Sequence, residues 1–159
     1  MEEARIRAAA FTGHRDIDKT EYGALAERLF LTVDRLYREG IRQFYVGGAL
    51  GFDTLAAVTV LNMKYRYPDL RLTVVVPCPE QSAKWSEPDR ALYESILRRA
   101  DEVVTVSAHY VRGCMQMRNR YMVDRAEILI AYVKRESGGS AYTRNYALKK
   151  GITVLDVTE

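Results

Sequence analysis

An α/β fold, with a mostly parallel sheet of about six strands between two layers of helices, is what this sequence predicts. Three observations carry the prediction. Short apolar runs alternate along the chain with stretches whose apolar residues recur at helical spacing. Single helices separate successive strands, which demands right-handed crossovers and therefore parallel pairing with both faces covered. The glycines also fall into two sets, some closing helices and others opening them.

The elements follow in order. RIRAAAF, residues 5 to 11, reads as the first strand, and Leu25, Leu29, Val33 and Leu36 mark a helix over 19 to 39. Asp18 with Glu21 three positions on has the form of a capping box, and Gly40 stands where a glycine closes a helix. QFYV (43 to 46) precedes a helix over about 53 to 66, and LTVVV (72 to 76) precedes one over about 87 to 99. Ser86 and Asp89 cap that third helix, with Pro88 tolerated in its first turn. EVVTV (102 to 106) leads to a helix over about 115 to 125, ILIAYV (128 to 133) to one over about 140 to 150, and ITVLDV is the last strand. The result is a Rossmann-like three-layer sandwich in one domain, residues 1–159, with no linker, repeat or low-complexity segment.

Composition narrows the function. Hydrophobic residues make up 48% and charged residues 28%, and no apolar run reaches the length of a membrane span. MEEARIRAAAF places acidic residues where a secretory leader needs basic ones and lacks a cleavage pattern, so a cytoplasmic protein is expected. Cys78 and Cys114 have no CxxC spacing, which predicts free thiols and no metal site. A net charge of +3 is too small for the concentrated stripe of an obligate nucleic-acid binder and suits a small anionic ligand. Self-association is left open.

In a parallel sheet the strand-to-helix turns share the carboxyl edge, where ligands bind. Gly40 and Gly151 close helices, whereas Gly13, Gly47, Gly48, Gly51, Gly138 and Gly139 fall in strand-to-helix turns. In FTGHR, Gly13 permits close backbone approach, Thr12 offers a hydroxyl and Arg15 can grip a phosphate. His14 is a base, a phosphate donor or, more simply, a hydrogen-bonding loop residue. YVGGALGFD is the strongest local signal, since three glycines opening a helix present amide groups to an anion. Its GGxxG spacing is not a dinucleotide fingerprint, so NAD is disfavoured and no cofactor is predicted. Asp53 can hydrogen-bond a ribose, act as acid or base, or simply complement the helix dipole. Trp85, in PCPEQSAKW, is read as core rather than as a stacking platform. Arg118 and Asn119 share a helical face with Met115 and Met122, and SGGSAYTRNYA supplies a second glycine pair with Ser140 and Thr143 as hydroxyl donors.

FTGHR, GGALGFD, PCPEQSAKW, RNRYMVD and GGSAYTRNYA, in this order, resemble the YpsA-like branch of the SLOG superfamily over essentially the whole chain. That superfamily includes the LOG-type phosphoribohydrolases, which cleave base from nucleoside 5′-monophosphates, and the DprA/Smf proteins, which bind single-stranded DNA. The resemblance implies a nucleotide or nucleotide-derived ligand at the carboxyl edge. It assigns Gly13 and Arg15 to one ligand loop, Gly47, Gly48, Gly51 and Asp53 to a second, and adds Arg118, Asn119, Gly138, Gly139, Ser140 and Thr143. Aligning the glycines of the LOG-type PGGxGTxxE segment on Gly138 and Gly139 puts the catalytic glutamate position at Asn145, so hydrolysis would need another carboxylate, Asp53 or Glu80. The expected function is nucleotide binding, as in a sensor. N-glycosidic hydrolysis and single-stranded DNA binding are the alternatives.

Overall fold

The computed structural model describes residues 6–159. Its elements are β1 (Ala8–Gly13), α1 (Lys19–Arg38), β2 (Gln43–Val46), α2 (Phe52–Met63), β3 (Arg71–Val76), α3 (Glu87–Arg99), β4 (Glu102–Thr105), α4 (Cys114–Asp124), β5 (Ile128–Tyr132), α5 (Gly139–Lys150) and β6 (Thr153–Asp156). The strands form a single sheet in the order β4-β3-β2-β1-β5-β6, with every pairing parallel. This is the predicted Rossmann-like sandwich. The expected strand start at Arg5 lies outside the described residues, and β1 runs past Phe11 because Thr12 and Gly13 still pair with Ala131 and Tyr132 of β5.

Two cores of unequal size flank the sheet. Residues of α1, α2 and α3 pack with Phe11, Phe44 and Val74 on one face, while Met122 and Val123 of α4 and Ala147 of α5 pack with Ala10, Val75 and Leu129 on the other. Strand alternation sends Ala9 and Phe11 to the first face and Ala10 to the second. The stripe Leu25, Leu29, Val33 and Leu36 of α1 is wholly buried, each side chain contributing about 1.5–3 kcal/mol. Only half of the predicted capping box forms. Asp18 accepts from the Thr20 N–H at 2.8 Å, but Glu21 turns away to accept from the Tyr132 hydroxyl at 2.6 Å and from Lys134. The start of α1 is thereby tied to the end of β5.

The loops after β1 and β2 are fitted to each other through backbone. The Phe52 N–H donates to the His14 carbonyl at 3.0 Å, and the Phe52 ring occupies the space a side chain on Gly13 would need. Gly51 has φ +77°, and a Cβ there would fall 2.0 Å from the Arg15 carbonyl oxygen. Both the conformation and the contact require glycine. We expect Gly51→Ala to lower stability by at least about 2 kcal/mol, combining left-handed strain with displacement of the Arg15 backbone. Urea denaturation checks this, and a loss below about 0.5 kcal/mol would show that the two loops move apart freely.

Candidate functional site

A cleft of two compartments opens at the carboxyl edge of the sheet. The smaller, about 280 Å³, lies between the turns after β1 and β5, with α4 across it; the larger, about 830 Å³, lies over the turn after β3. Arg15, Ala49 and Met115 line both and mark their junction.

Of the predicted residues, Thr12, Gly13, His14, Arg15, Asp53, Arg118, Asn119, Gly138, Gly139 and Ser140 line the smaller compartment, and Glu80 lines the larger. The others serve differently. Gly47, Gly48 and Gly51 shape their loop without lining either compartment, which takes Ala49, Leu50 and Asp53 from it instead. A Cβ on Gly47 would meet Arg118 and Asp53 within 3 Å, and one on Gly48, at φ +72°, would meet Tyr93 and Val74 at 3.1 Å. Thr143 is fully buried, and its hydroxyl donates back to the Gly139 carbonyl at 2.9 Å rather than to a ligand. Asn145 lies on the exposed side of α5, outside both compartments. Trp85 is half-buried at the margin of the main core: it packs edge-on against Tyr93 at 5.1 Å and also walls the larger compartment.

His14 joins the turns after β1 and β5. Its Nε2 accepts from the Lys134 backbone N–H at 2.7 Å, so the proton of the neutral ring sits on Nδ1 and points to the Ser140 hydroxyl oxygen at 3.2 Å. Burial first, then the positive charges of Arg135 and Lys134, lower its pKa and keep the ring neutral. The ring thus makes the hydrogen bonds of a loop residue while lining the compartment, and this tautomer leaves the Ser140 hydroxyl proton free to donate into the cleft.

Arg118 is 4% exposed. Its Nη1 donates to the Gly47 carbonyl at 2.5 Å and reaches the Val75 carbonyl and Gln81 Oε1 at 3.3 Å, while Nε donates to Asn119 Oδ1 at 2.8 Å. This arginine is a strut under the β2–α2 loop, with Nη2 left against only the Met115 sulfur at 4.0 Å. Asp53, 7% exposed, accepts from the Ala49 N–H at 3.2 Å through Oδ2. The predicted anion cradle at α2 is thus already occupied by a carboxylate of its own first turn.

The start of α5 is different. It has no acidic residue in its first turn and no side-chain cap, and Gly138 stands before it at φ +101°. A Cβ on Gly138 or Gly139 would meet nothing within 4 Å. Internal packing therefore does not explain glycine at 139, whose backbone is helical, and the space it leaves faces the compartment. Arg15 and Arg135 line the same compartment and make no side-chain hydrogen bond or ion pair among the described residues. Free amide groups, a helix dipole and two available guanidinium groups are the elements from which anion sites are built. Arg135 was not foreseen from the sequence; its place just past β5, ahead of the glycine pair, was the available signal.

With this geometry in place, comparison with known proteins is decisive for the family. The YpsA model, described as the YspA SLOG family, matches residues 11–153. This chain belongs to that family. A UPF0398 protein of Bacillus cereus (strain G9842) is 28% identical over 156 residues, covering 92% of this chain and 85% of the relative. A UPF0398 protein of Halalkalibacterium halodurans is 32% identical over 118 residues, covering 72% of this chain and 62% of the relative. Among solved structures, DNA processing protein A (DprA) of Streptococcus pneumoniae matches with TM-score 0.71 and 17% identity, over 95% of this chain and 50% of that one. DprA of Helicobacter pylori matches with TM-score 0.67 and 16% identity, over 95% of this chain and 65% of that one. The YpsA-family chain thus shares the fold of about half to two-thirds of each DprA. No helix among the described residues is long and apolar enough to cross a membrane.

Burial raises the Asp53 pKa from 3.8 to about 6, against the opposing pull of Arg118, the Ala49 N–H and Arg15. The folded state holds this proton more tightly than the unfolded chain, so its ionisation costs stability as pH rises through that interval. Compared with Asp53→Asn, the wild type should lose on the order of 2–3 kcal/mol of relative stability between pH 3.5 and 7. Parallel denaturation series on the two proteins read that difference directly, and a pH-independent difference would mean that Asp53 is solvated.

Proposed function

We propose that this YpsA-family protein binds a nucleotide or nucleotide-derived small ligand at the carboxyl edge of its sheet, with a phosphate at the start of α5. The observation that carries the reading is the unfilled space at Gly138 and Gly139, beside the uncapped helix start, in a compartment that also holds unpartnered Arg15 and Arg135. The adjoining compartment supports it. Trp85, Tyr110 and Met115 give it apolar walls for a base, and Glu80, Gln81, Lys84 and Asp89 give it polar groups to orient one. A bound state read by another protein would make this a sensor, and a cytoplasmic setting suits such a ligand.

Arg15→Ala should weaken binding by on the order of 1.5–3 kcal/mol, and Gly139→Val should weaken it at least tenfold by filling the space a phosphate would use. Calorimetric titration with a panel of nucleoside mono- and diphosphates, with circular dichroism as the control for folding, measures both. Wild-type affinity in both folded variants would remove the α5 start from the site.

Two other readings compete. Single-stranded DNA is the ligand that the Helicobacter pylori DprA structure describes for that protein. Here the most exposed tyrosines, Tyr22, Tyr65, Tyr110 and Tyr142, sit on separate elements rather than along one basic track, so stacking platforms and phosphate contacts do not alternate. An oligothymidylate in the same titration should bind more weakly than the preferred nucleotide. N-glycosidic hydrolysis is favoured by one observation, the carboxyl of Asp53 held near neutrality within the cleft. Against it, α5 presents no carboxylate to the cleft, and Glu80 is exposed and pairs with His109 at 3.5 Å. Chromatography of nucleoside monophosphates incubated with the protein should show no free base. Sustained release that is lost in Asp53→Asn would establish the enzyme instead.

A further inference from the structure

We infer that Asp53 accepts a hydrogen bond from a ribose hydroxyl of the ligand, so that the cleft selects ribonucleotides over their deoxy counterparts; this rests on the nucleotide-binding reading above. Asp53 is 7% exposed and lines the smaller compartment, yet only Oδ2 has a partner, the Ala49 N–H, and Oδ1 has none among the described residues. The nearby cation does not close on it. Arg118 spends Nη1 and Nε on Gly47, Val75, Gln81 and Asn119, and makes no ion pair with the carboxylate within 4.0 Å. No buried side-chain nitrogen or oxygen among the described residues lacks a partner, so Oδ1 is not sealed off but opens to the compartment, and an ionised carboxylate oxygen can only accept. Oδ1 is therefore an open acceptor for an O–H or N–H of whatever fills the compartment.

Position decides which donor. A carboxylate beside a phosphate site repels the anion it shares the space with, so its presence there costs affinity unless it bonds a neutral part of the same ligand. The phosphate donors Gly139, Ser140 and Arg15 line the compartment that holds Asp53, while the aromatic walls that suit a base lie in the other. The part of a nucleotide next to its phosphate is the sugar. Its hydroxyls are donors of the right kind, and one of them satisfies Oδ1.

The test is calorimetric titration of the wild type with nucleoside 5′-monophosphates of the common bases and their 2′-deoxy and 3′-deoxy analogues. Ribose 5-phosphate and 2-deoxyribose 5-phosphate serve as probes that lack a base. Loss of the recognised hydroxyl should weaken binding by about 10- to 100-fold, the range for one hydrogen bond to a charged group. In Asp53→Ala the ribo and deoxy affinities should converge to within about twofold, with the deoxy ligand bound no worse than by the wild type because the repulsion is gone. Asp53→Asn, which keeps the volume, should show an intermediate preference and covers the case in which the alanine variant unfolds. Equal affinity of the wild type for ribo, 2′-deoxy and 3′-deoxy ligands would overturn the inference and leave the binding reading standing. So would a preference that persists in full in a folded Asp53→Ala. Absence of binding to every phosphate in the panel would overturn the binding reading, and the inference with it.

Discussion

The cleft exists because the chain reverses its direction of travel across the sheet at β1. From β1 the order runs outward through β2 and β3 to β4, with α1, α2 and α3 on one face; the chain then crosses beneath with α4 to β5, on the other side of β1, and continues to β6. The turn after β1 consequently leaves toward one layer of helices and the turn after β5 toward the other. Neighbouring parallel strands whose exits diverge leave a crevice between them. Everything assigned to the smaller compartment follows from this. Thr12 and Gly13 pair with Ala131 and Tyr132 at its floor, and His14 spans it to Lys134 and Ser140. Beyond that pairing, the neutral ring of His14, bonding both ways, and the Glu21 contacts to Tyr132 and Lys134 tie the two diverging turns together.

A cleft lined by loops needs those loops fixed, and most of the glycines in the strand-to-helix turns serve that end. Gly13 yields to the Phe52 ring, Gly51 to the Arg15 backbone, Gly47 to Arg118 and Asp53. Each lets two segments approach closer than side chains would permit, and together they fasten the turns after β1 and β2 to each other and to α4. Gly138 and Gly139 yield to nothing within the protein. Gly23, Gly113 and Gly151 have the same open space, so what sets Gly138 and Gly139 apart is that theirs lies in the cleft.

Sequence reading could not make that separation. The elements themselves were legible, because helical spacing in α1, the Ser86 cap of α3 and the alternation of strands and helices are properties of neighbouring residues. The carboxyl-edge location of the glycine turns was equally legible, since parallel pairing places every strand-to-helix turn there. What each glycine faces depends on residues far away in sequence. GGALGFD therefore read as the stronger anion cradle, although the carboxylate of Asp53 already takes the Ala49 amide within it. Helical spacing placed Arg118 among methionines, but nothing local indicated that its guanidinium would be spent on the Gly47 carbonyl 71 residues away. Thr143 and Asn145 show the same limit: their numbers fit a motif, while the rotation of α5 turns one into the core and the other to solvent.

The cations of the cleft thus divide into two kinds with different physics. Arg118 has been desolvated during folding, and its hydrogen bonds to backbone and to Asn119 offset that cost, so its charge is fixed in place before any ligand arrives. Its field opposes the rise of the Asp53 pKa without fully cancelling the effect of burial. Arg15 and Arg135 are exposed and unpaired, so each must give up rotamer freedom to close on an anion. On the proposed reading, a fixed interior charge with exposed rim charges suits a ligand that enters partly, its anionic group at the start of α5 and its remainder outward across Arg15, Ala49 and Met115 toward the larger compartment. An inorganic anion would meet the same arginines but leave the larger compartment and the free oxygen of Asp53 without partners. On the proposed reading, the geometry suits an anion joined to a polar, ring-bearing body.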